Sequence, residues 1–160
     1  MTATHTGPMP TVSFHVTTSG MAARPDEHGA VCITGGTGSL GRALTMRLLA
    51  AGCRRVVVFS RDEVKQAEVD ARCGSHPNLR CFLGDVRDPP RLEEAFHGIS
   101  TVIHAAALKR VDAASYNPGE VVKTNILGAM HVAQAATAAR VPRVLFLSTD
   151  KAVAPTTIYG

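Results

Sequence analysis

Thr34-Gly35-Gly36-Thr37-Gly38-Ser39-Leu40-Gly41 decides the fold of this chain, because it joins an apolar strand to a helix-period stretch through closely spaced glycines. Upstream, Ala30 to Thr34 reads as a buried strand. Downstream, Leu40, Leu44, Leu48 and Ala51 recur at helical spacing until Gly52 stops them. Gly36, Gly38 and Gly41 satisfy G-x-G-x-x-G, and Gly35, Gly38 and Gly41 satisfy the G-x-x-G-x-x-G variant. Glycine permits the tight turn, lets backbone N–H groups approach a pyrophosphate, and lets the helix pack close to the strand. A phosphate then sits at the positive end of the helix dipole. Alone, such a string also describes a merely tight strand-to-helix turn; the flanking strand and helix favour the phosphate cradle.

Outward from that turn, β-like runs alternate with helix-period stretches. Strands are expected at Arg55–Phe59, Leu79–Leu83, Ser100–His104 and Arg143–Leu147. Helices are expected over 62–72, near Arg91–Phe96 after Pro89-Pro90, and from Pro118 onward, where Val122, Ile126, Met130 and Ala133 share a face. Apolar strands alternating with helices, joined by right-handed crossovers, specify an α/β fold with a doubly wound parallel sheet. Residues 1–29, rich in Thr, Pro, Gly and Ser without apolar period, read as a disordered leader to a domain over 30–160.

Composition narrows the function. The chain has 160 residues, 17 Lys+Arg against 13 Asp+Glu, a charge of +4, and 45% hydrophobic residues, enough for one packed domain. No run of basic residues exceeds a pair and aromatics are only 4%, so no nucleic-acid partner is expected, and the basicity suits a small anionic ligand. Cys32, Cys53, Cys73 and Cys81 lack metal spacing and read as buried reduced thiols, so no metal is expected. No apolar run spans a membrane and no secretory signal is recognisable, giving the expectation of a cytoplasmic protein.

The strand ends carry the candidate ligand residues. After the second strand comes Ser60-Arg61-Asp62-Glu63, with Lys65 one turn on. Ser60, Arg61 and Lys65 read as a pocket for a 2′-phosphate, so NADP is expected over NAD, whereas Asp62 is the candidate acceptor for an unphosphorylated ribose. The alternative is a solvated helix start with Asp62 and Glu63 on its dipole. Asp85, beside Val86 after the third strand, is either an acceptor for an adenine amine or a helix cap. Ala105-Ala106-Ala107 gives a ribose room against the backbone, and Lys109 projects beyond it.

ITGGTGSLG, FSRDEVKQAE, GDVRD, HAAALK, YNPGEVVKTNILGA and LSTDKAVAP…YG occur in order over residues 31–160. Together these strings resemble the extended short-chain dehydrogenase/reductase superfamily of polysaccharide biosynthesis. Within it, the similarity is to the UDP-N-acetylglucosamine 4,6-dehydratase (inverting) group, lyases acting on a nucleotide-sugar. The resemblance implies a Rossmann-like sheet, incomplete at its C-terminal side. It implies Thr37, Gly38, Ser39 and Leu40 on the pyrophosphate, Ser60 to Lys65 on the 2′-phosphate, Asp85 and Val86 on the adenine, and Ala105 and Lys109 toward the inner ribose and the substrate. Asp150, Lys151 and Tyr159 would be the catalytic set acting on a UDP-sugar, with Thr149 assisting a sugar hydroxyl.

In that chemistry Tyr159 takes the C4 hydroxyl proton as hydride leaves C4, neutral Lys151 removes the acidified C5 proton, and protonated Asp150 donates to the departing C6 hydroxyl. The chain departs from the group at Lys109-Arg110-Val111-Asp112, where Lys-His-Val-Pro is usual, and the superfamily's Tyr-x-x-x-Lys motif would place its Lys beyond Gly160. The expectation is the cofactor-binding half of such an enzyme, as a fragment or a truncated reading frame, self-associating when full length. A same-superfamily epimerase or reductase, and a non-catalytic dinucleotide-binding module, are the alternative readings.

Overall fold

The computed structural model describes residues 29–149 and Val153. The leader expectation, Gly29 apart, and the expectations for Asp150, Lys151 and Tyr159 fall outside the described residues. Five parallel strands form one sheet in the order β3-β2-β1-β4-β5. They are β1 (Ala30–Thr34), β2 (Arg55–Ser60), β3 (Leu79–Leu83), β4 (Thr101–His104) and β5 (Arg143–Phe146). Central β1 is buried throughout and pairs with β2 on one side and β4 on the other. The connection reverses direction there, which opens a crevice at the carboxyl ends of β1 and β4.

Leu145 and Phe146 of the edge strand β5 are exposed, whereas helices cover both faces of the central strands, as their near-continuous apolar sequences require. On one, Val31, Ile33, Val56 and Val58 meet Leu49 of α1 (Ser39–Ala50) and Val69 of α2 (Glu63–Arg72). On the other, Cys32, Val57, Phe59 and Val102 meet Leu92 and Phe96 of α3 (Pro89–Phe96) and Val132, Ala135 and Ala136 of α6 (Gly128–Ala138). Asp62 and Asp88 cap α2 and α3, accepting from the Lys65 and Arg91 amides, and Pro89 and Pro90 occupy the first positions of α3.

Two helix faces differ from expectation. In α1 the buried residues are Gly41, Thr45 and Leu49; Leu44 and Leu48 flank them, and Leu40 is exposed beside the crevice. The long helix after Pro118 is interrupted. It runs as α5 (Pro118–Val121), a π-helical turn Val122–Leu127, and α6, preceded by a short α4 (Val111–Tyr116) that the sequence pattern did not suggest. Val121, Thr124, Gly128 and Val132 face inward, whereas Val122, Ile126 and Met130 are exposed. The reason is close approach: a Cβ on Gly128 would stand 2.8 Å from Val86 Cγ2, so the small-residue face, not the bulky one, fits against the sheet side.

The cysteine expectation is also corrected in part. All four are free and Cys32 and Cys53 are buried, but Cys73 is only partly covered and Cys81 is exposed, because β3 is an edge strand. Burial pushes the Cys32 thiol far up, so it stays protonated as a small hydrophobe.

Candidate functional site

The glycine turn leaves β1 directly into α1. Gly35 has φ of +67°, and a Cβ there would lie 2.8 Å from the Ala106 backbone. Its amide and that of Gly36 donate to the Phe59 carbonyl, tying the turn to the end of β2. At Gly41 a Cβ would meet the Gly36 backbone at 2.5 Å, so α1 starts hard against the turn. Gly38 gives α1 no side-chain cap, which leaves the first-turn N–H groups to a ligand.

Two cavities of about 350 and 500 Å³ flank this turn and share Gly35, Gly38 and the Ala105–Lys109 segment, forming one trough across the sheet's carboxyl edge. One end is lined by Thr37, Ser60, Arg61, Asp62, Lys65, Asp85 and Val86. The other is lined by Ser39, Leu40, Gly41, His104, Asn125, Phe146 and Thr149. Of the candidate residues that are described, only Glu63 lines neither cavity; it begins α2, exposed, as the helix-dipole alternative has it.

The first end carries the charge. Lys65 Nζ lies 2.8 Å from Asp62 Oδ2, and Asp62 also accepts from the Lys65 amide. These contacts hold the Asp62 carboxyl below its usual range. Asp85 is not a helix cap, since Asp88 fills that role. Its Oδ1 accepts from the Arg87 amide at 2.9 Å, and its Oδ2 from Arg87 Nε at 2.9 Å and Nη2 at 2.7 Å. Burial opposes its ionisation, but the Arg87 contacts prevail and its carboxyl stays below the usual range. Ser60 is buried with its hydroxyl accepting from Gln66 Nε2, which also donates to the carbonyls of Ser60 and Phe82. Gly84 is required for a different reason: a Cβ there would fall 2.5 Å from the Phe59 ring.

Sequence reasoning missed several groups here. The Asn125 side chain clamps Leu108, accepting from its amide at 2.8 Å and donating to its carbonyl at 2.9 Å, so the loop that carries Lys109 is fixed to the π-helical turn. Thr124 is 4% exposed, lines the first cavity, and its Oγ1 has no protein partner. A buried hydroxyl without a partner beside a cavity is a group suited to a ligand, and π-helical turns recur at such places. The available signal was the Thr-Asn pair beside Lys123 in a helix otherwise rich in apolar residues. His104 was likewise unassigned; its Nδ1 is 2.7 Å from Thr34 Oγ1, and burial lowers its basicity.

These residues fit an extended dinucleotide: a cradle that any Cβ would fill, helix amides without a side-chain cap, a corner carrying Arg61 and Lys65 beside Asp62 and Asp85 at one end, and an unsatisfied hydroxyl beside it. Among the described residues there is no group of side chains able to hold a metal, and no helix is long and apolar enough to cross a membrane.

A family described as "Polysaccharide biosynthesis protein" matches residues 31–160. The UDP-N-acetylglucosamine 4,6-dehydratase (inverting) of Campylobacter jejuni is 47% identical over 131 residues, covering 81% of this chain and 39% of that protein. A UDP-glucose 4-epimerase of Rickettsia massiliae is 44% identical over 132 residues, covering 80% of this chain and 38% of that protein. The chain thus spans about two fifths of the length of these relatives. Among solved structures, Pen from Bacillus thuringiensis superposes with a TM-score of 0.81 at 38% identity, covering 83% of this chain and 42% of that one. The dTDP-glucose 4,6-dehydratase DesIV of Streptomyces venezuelae, with NAD and TYD bound, gives 0.68 at 30% identity, covering 76% and 40%.

Proposed function

Because the chain belongs to the polysaccharide biosynthesis protein family, whose relatives here are nucleotide-sugar dehydratases and epimerases, we propose that it is the NADP-binding part of a UDP-N-acetylglucosamine 4,6-dehydratase. The observation that carries this reading is the pair of basic side chains at one corner: Arg61 and Lys65 line the end of the trough that the glycine turn opens. Both are exposed; Lys65 pairs with Asp62, and Asp85 is held by Arg87 with Arg61 at 3.5 Å, so neither carboxylate stands free to accept from a ribose hydroxyl. In this reading residues 30–160 hold the dinucleotide, Asp85 and Val86 beside the adenine, Thr124 donating to it, and the α1 amides on the pyrophosphate.

The bound dinucleotide supplies a hydride acceptor and donor. The chain's own residues handle protons. Tyr159 accepts the proton of the sugar C4 hydroxyl, Lys151 takes the C5 proton, Asp150 protonates the leaving C6 oxygen, and Thr149, which lines the second cavity, orients the sugar. An amine with an ordinary pKa near ~10.4 is a weak base at neutral pH, so Lys151 requires desolvation or a neighbouring cation to serve. The protein acts in the cytoplasm on a UDP-sugar, without nucleic acid. Full-length copies associate, and the exposed row Val122, Ile126 and Met130 is the surface a second copy would cover.

The test is binding. NADP⁺ is expected to bind more tightly than NAD⁺ in calorimetry, and Arg61→Ala to bring the two affinities together; equal affinities in the unaltered protein would remove the proposal's cofactor. Thr124→Val should leave the ligand-free melting temperature unchanged or raise it. The same change should weaken dinucleotide binding about tenfold, the scale of one hydrogen bond to a buried group. The 4-epimerase relatives support a second reading, UDP-sugar epimerisation. The two separate by product: a 4-keto sugar with loss of water in one case, a C4 epimer in the other, assayed on a full-length protein with a panel of UDP-sugars.

A further inference from the structure

Arg61 and Asp85, at the adenosine end of the trough, and Glu120 and Lys123, at the start of the interrupted helix, are linked through one further residue, Arg87. Its guanidinium reaches Asp85 Oδ2 through Nε and Nη2 and reaches Glu120 Oε2 through Nη1 at 2.6 Å. Glu120 is itself anchored by Lys123 Nζ at 2.9 Å. The far end of the fork is therefore fixed to the start of the interrupted helix, and the near end is aimed at Asp85.

Arg61 also touches Asp85 Oδ2, but through one nitrogen at 3.5 Å. That oxygen already accepts two short bonds from Arg87, and the other accepts the Arg87 amide, so little acceptor capacity is left for a second guanidinium. From this geometry we infer that Arg87 is a positioning residue for cofactor choice: by taking three of the about four acceptor sites of Asp85 it leaves Arg61 only weakly held and available to a phosphoryl group on the adenosine ribose. Without Arg87, the Asp85 carboxylate has one cation in reach, Arg61, and a bidentate pair between them would draw Arg61 away from the ligand. The uncompensated carboxylate would also repel a dianionic phosphate. The inference rests on the proposed reading of Arg61 as a ligand of the 2′-phosphate.

The experiment measures Kd for NADP⁺ and NAD⁺ on the full chain and its variants by calorimetry, together with their melting temperatures. Arg87→Met is expected to lower the NADP⁺ preference about tenfold, the scale of one charge-assisted hydrogen bond, with NAD⁺ affinity changed less than about threefold. Arg87→Lys, which keeps the charge but not the fork, should fall between and covers the case of a poorly folding Met variant. Asp85→Asn weakens both dinucleotides through the adenine, yet Asp85→Asn and the Asp85→Asn/Arg87→Met double variant should share one preference, because the competitor for Arg61 is gone. An unchanged preference in both Arg87 variants overturns the inference, as does an equal loss for both dinucleotides or a double variant as unselective as Arg87→Met. An unaltered protein with no preference overturns the underlying reading instead, whereas a selective one whose Arg87 variants stay selective overturns only the role of Arg87.

Discussion

Replacing Gly41 with alanine should abolish measurable dinucleotide binding while leaving a folded but weakened protein. The added Cβ would stand 2.5 Å from the Cα and carbonyl oxygen of Gly36, which are backbone atoms and cannot swing aside. Either α1 slides away from the turn or the turn itself opens. Both movements shift the first-turn amides relative to Gly35 and Gly38, and a displacement of about 1 Å at a positioning group costs on the order of a hundredfold. Overpacking of this kind costs about 1–3 kcal/mol of stability. Calorimetric titration checks the first effect and urea unfolding the second. Gly119→Ala is the matched control, since a Cβ there has nothing within 4 Å and should leave binding alone. A Gly41→Ala protein that binds like the parent would show that the turn is merely tight and cradles nothing.

Phe96→Ala should be the most damaging single core truncation. Phe96 is fully buried at the end of α3, in the cluster that includes Val102, Val132 and Ala136. Deleting a buried phenyl ring costs about 3–5 kcal/mol, because the cavity left behind closes only in part. Set against a typical total of about 5–15 kcal/mol, that brings a domain of this size near its limit. The melting temperature should fall by roughly 10 °C or more, with the ring's own contribution visible as a lower denaturant midpoint at unchanged slope. Val86 belongs to the same cluster and lines the trough, so any residual folded protein should also bind dinucleotide more weakly.

The strands and the turn were legible because their signals are local. Ala30–Thr34 and Leu79–Leu83 have the bounds their apolar runs give, and Gly35 to Gly41 announce a close approach that the backbone then makes. The helix faces were not legible in the same way. Val122, Ile126 and Met130 form a better apolar row than the residues that are buried, and long-range contacts such as the close approach of Gly128 to Val86 decide against it. Such a contact is between positions far apart in the chain, so periodicity carries no trace of it. Site residues divide similarly. Ser60, Arg61 and Asp85 stand at strand ends and Lys65 one turn into the following helix, where ligands to open α/β sheets gather, and all four line the cavity there. Thr124 and Asn125 come from mid-helix, and Arg87 acts through Asp85 instead of through its own place in the pattern.

The π-helical turn at Val122–Leu127 sets two phases within one helix. Upstream of Gly128, Thr124 and Asn125 line the trough; downstream, Val132, Ala135 and Ala136 pack into the core against the sheet. The wide turn is the phase adjuster between them: a π-helical turn holds about one more residue than an α-helical one, so it takes up an extra residue without turning the helix that follows. Removing one residue from it would let an ordinary α-helical turn form, leaving Val132, Ala135 and Ala136 seated on the sheet while the register of Thr124 and Asn125 against the trough shifts.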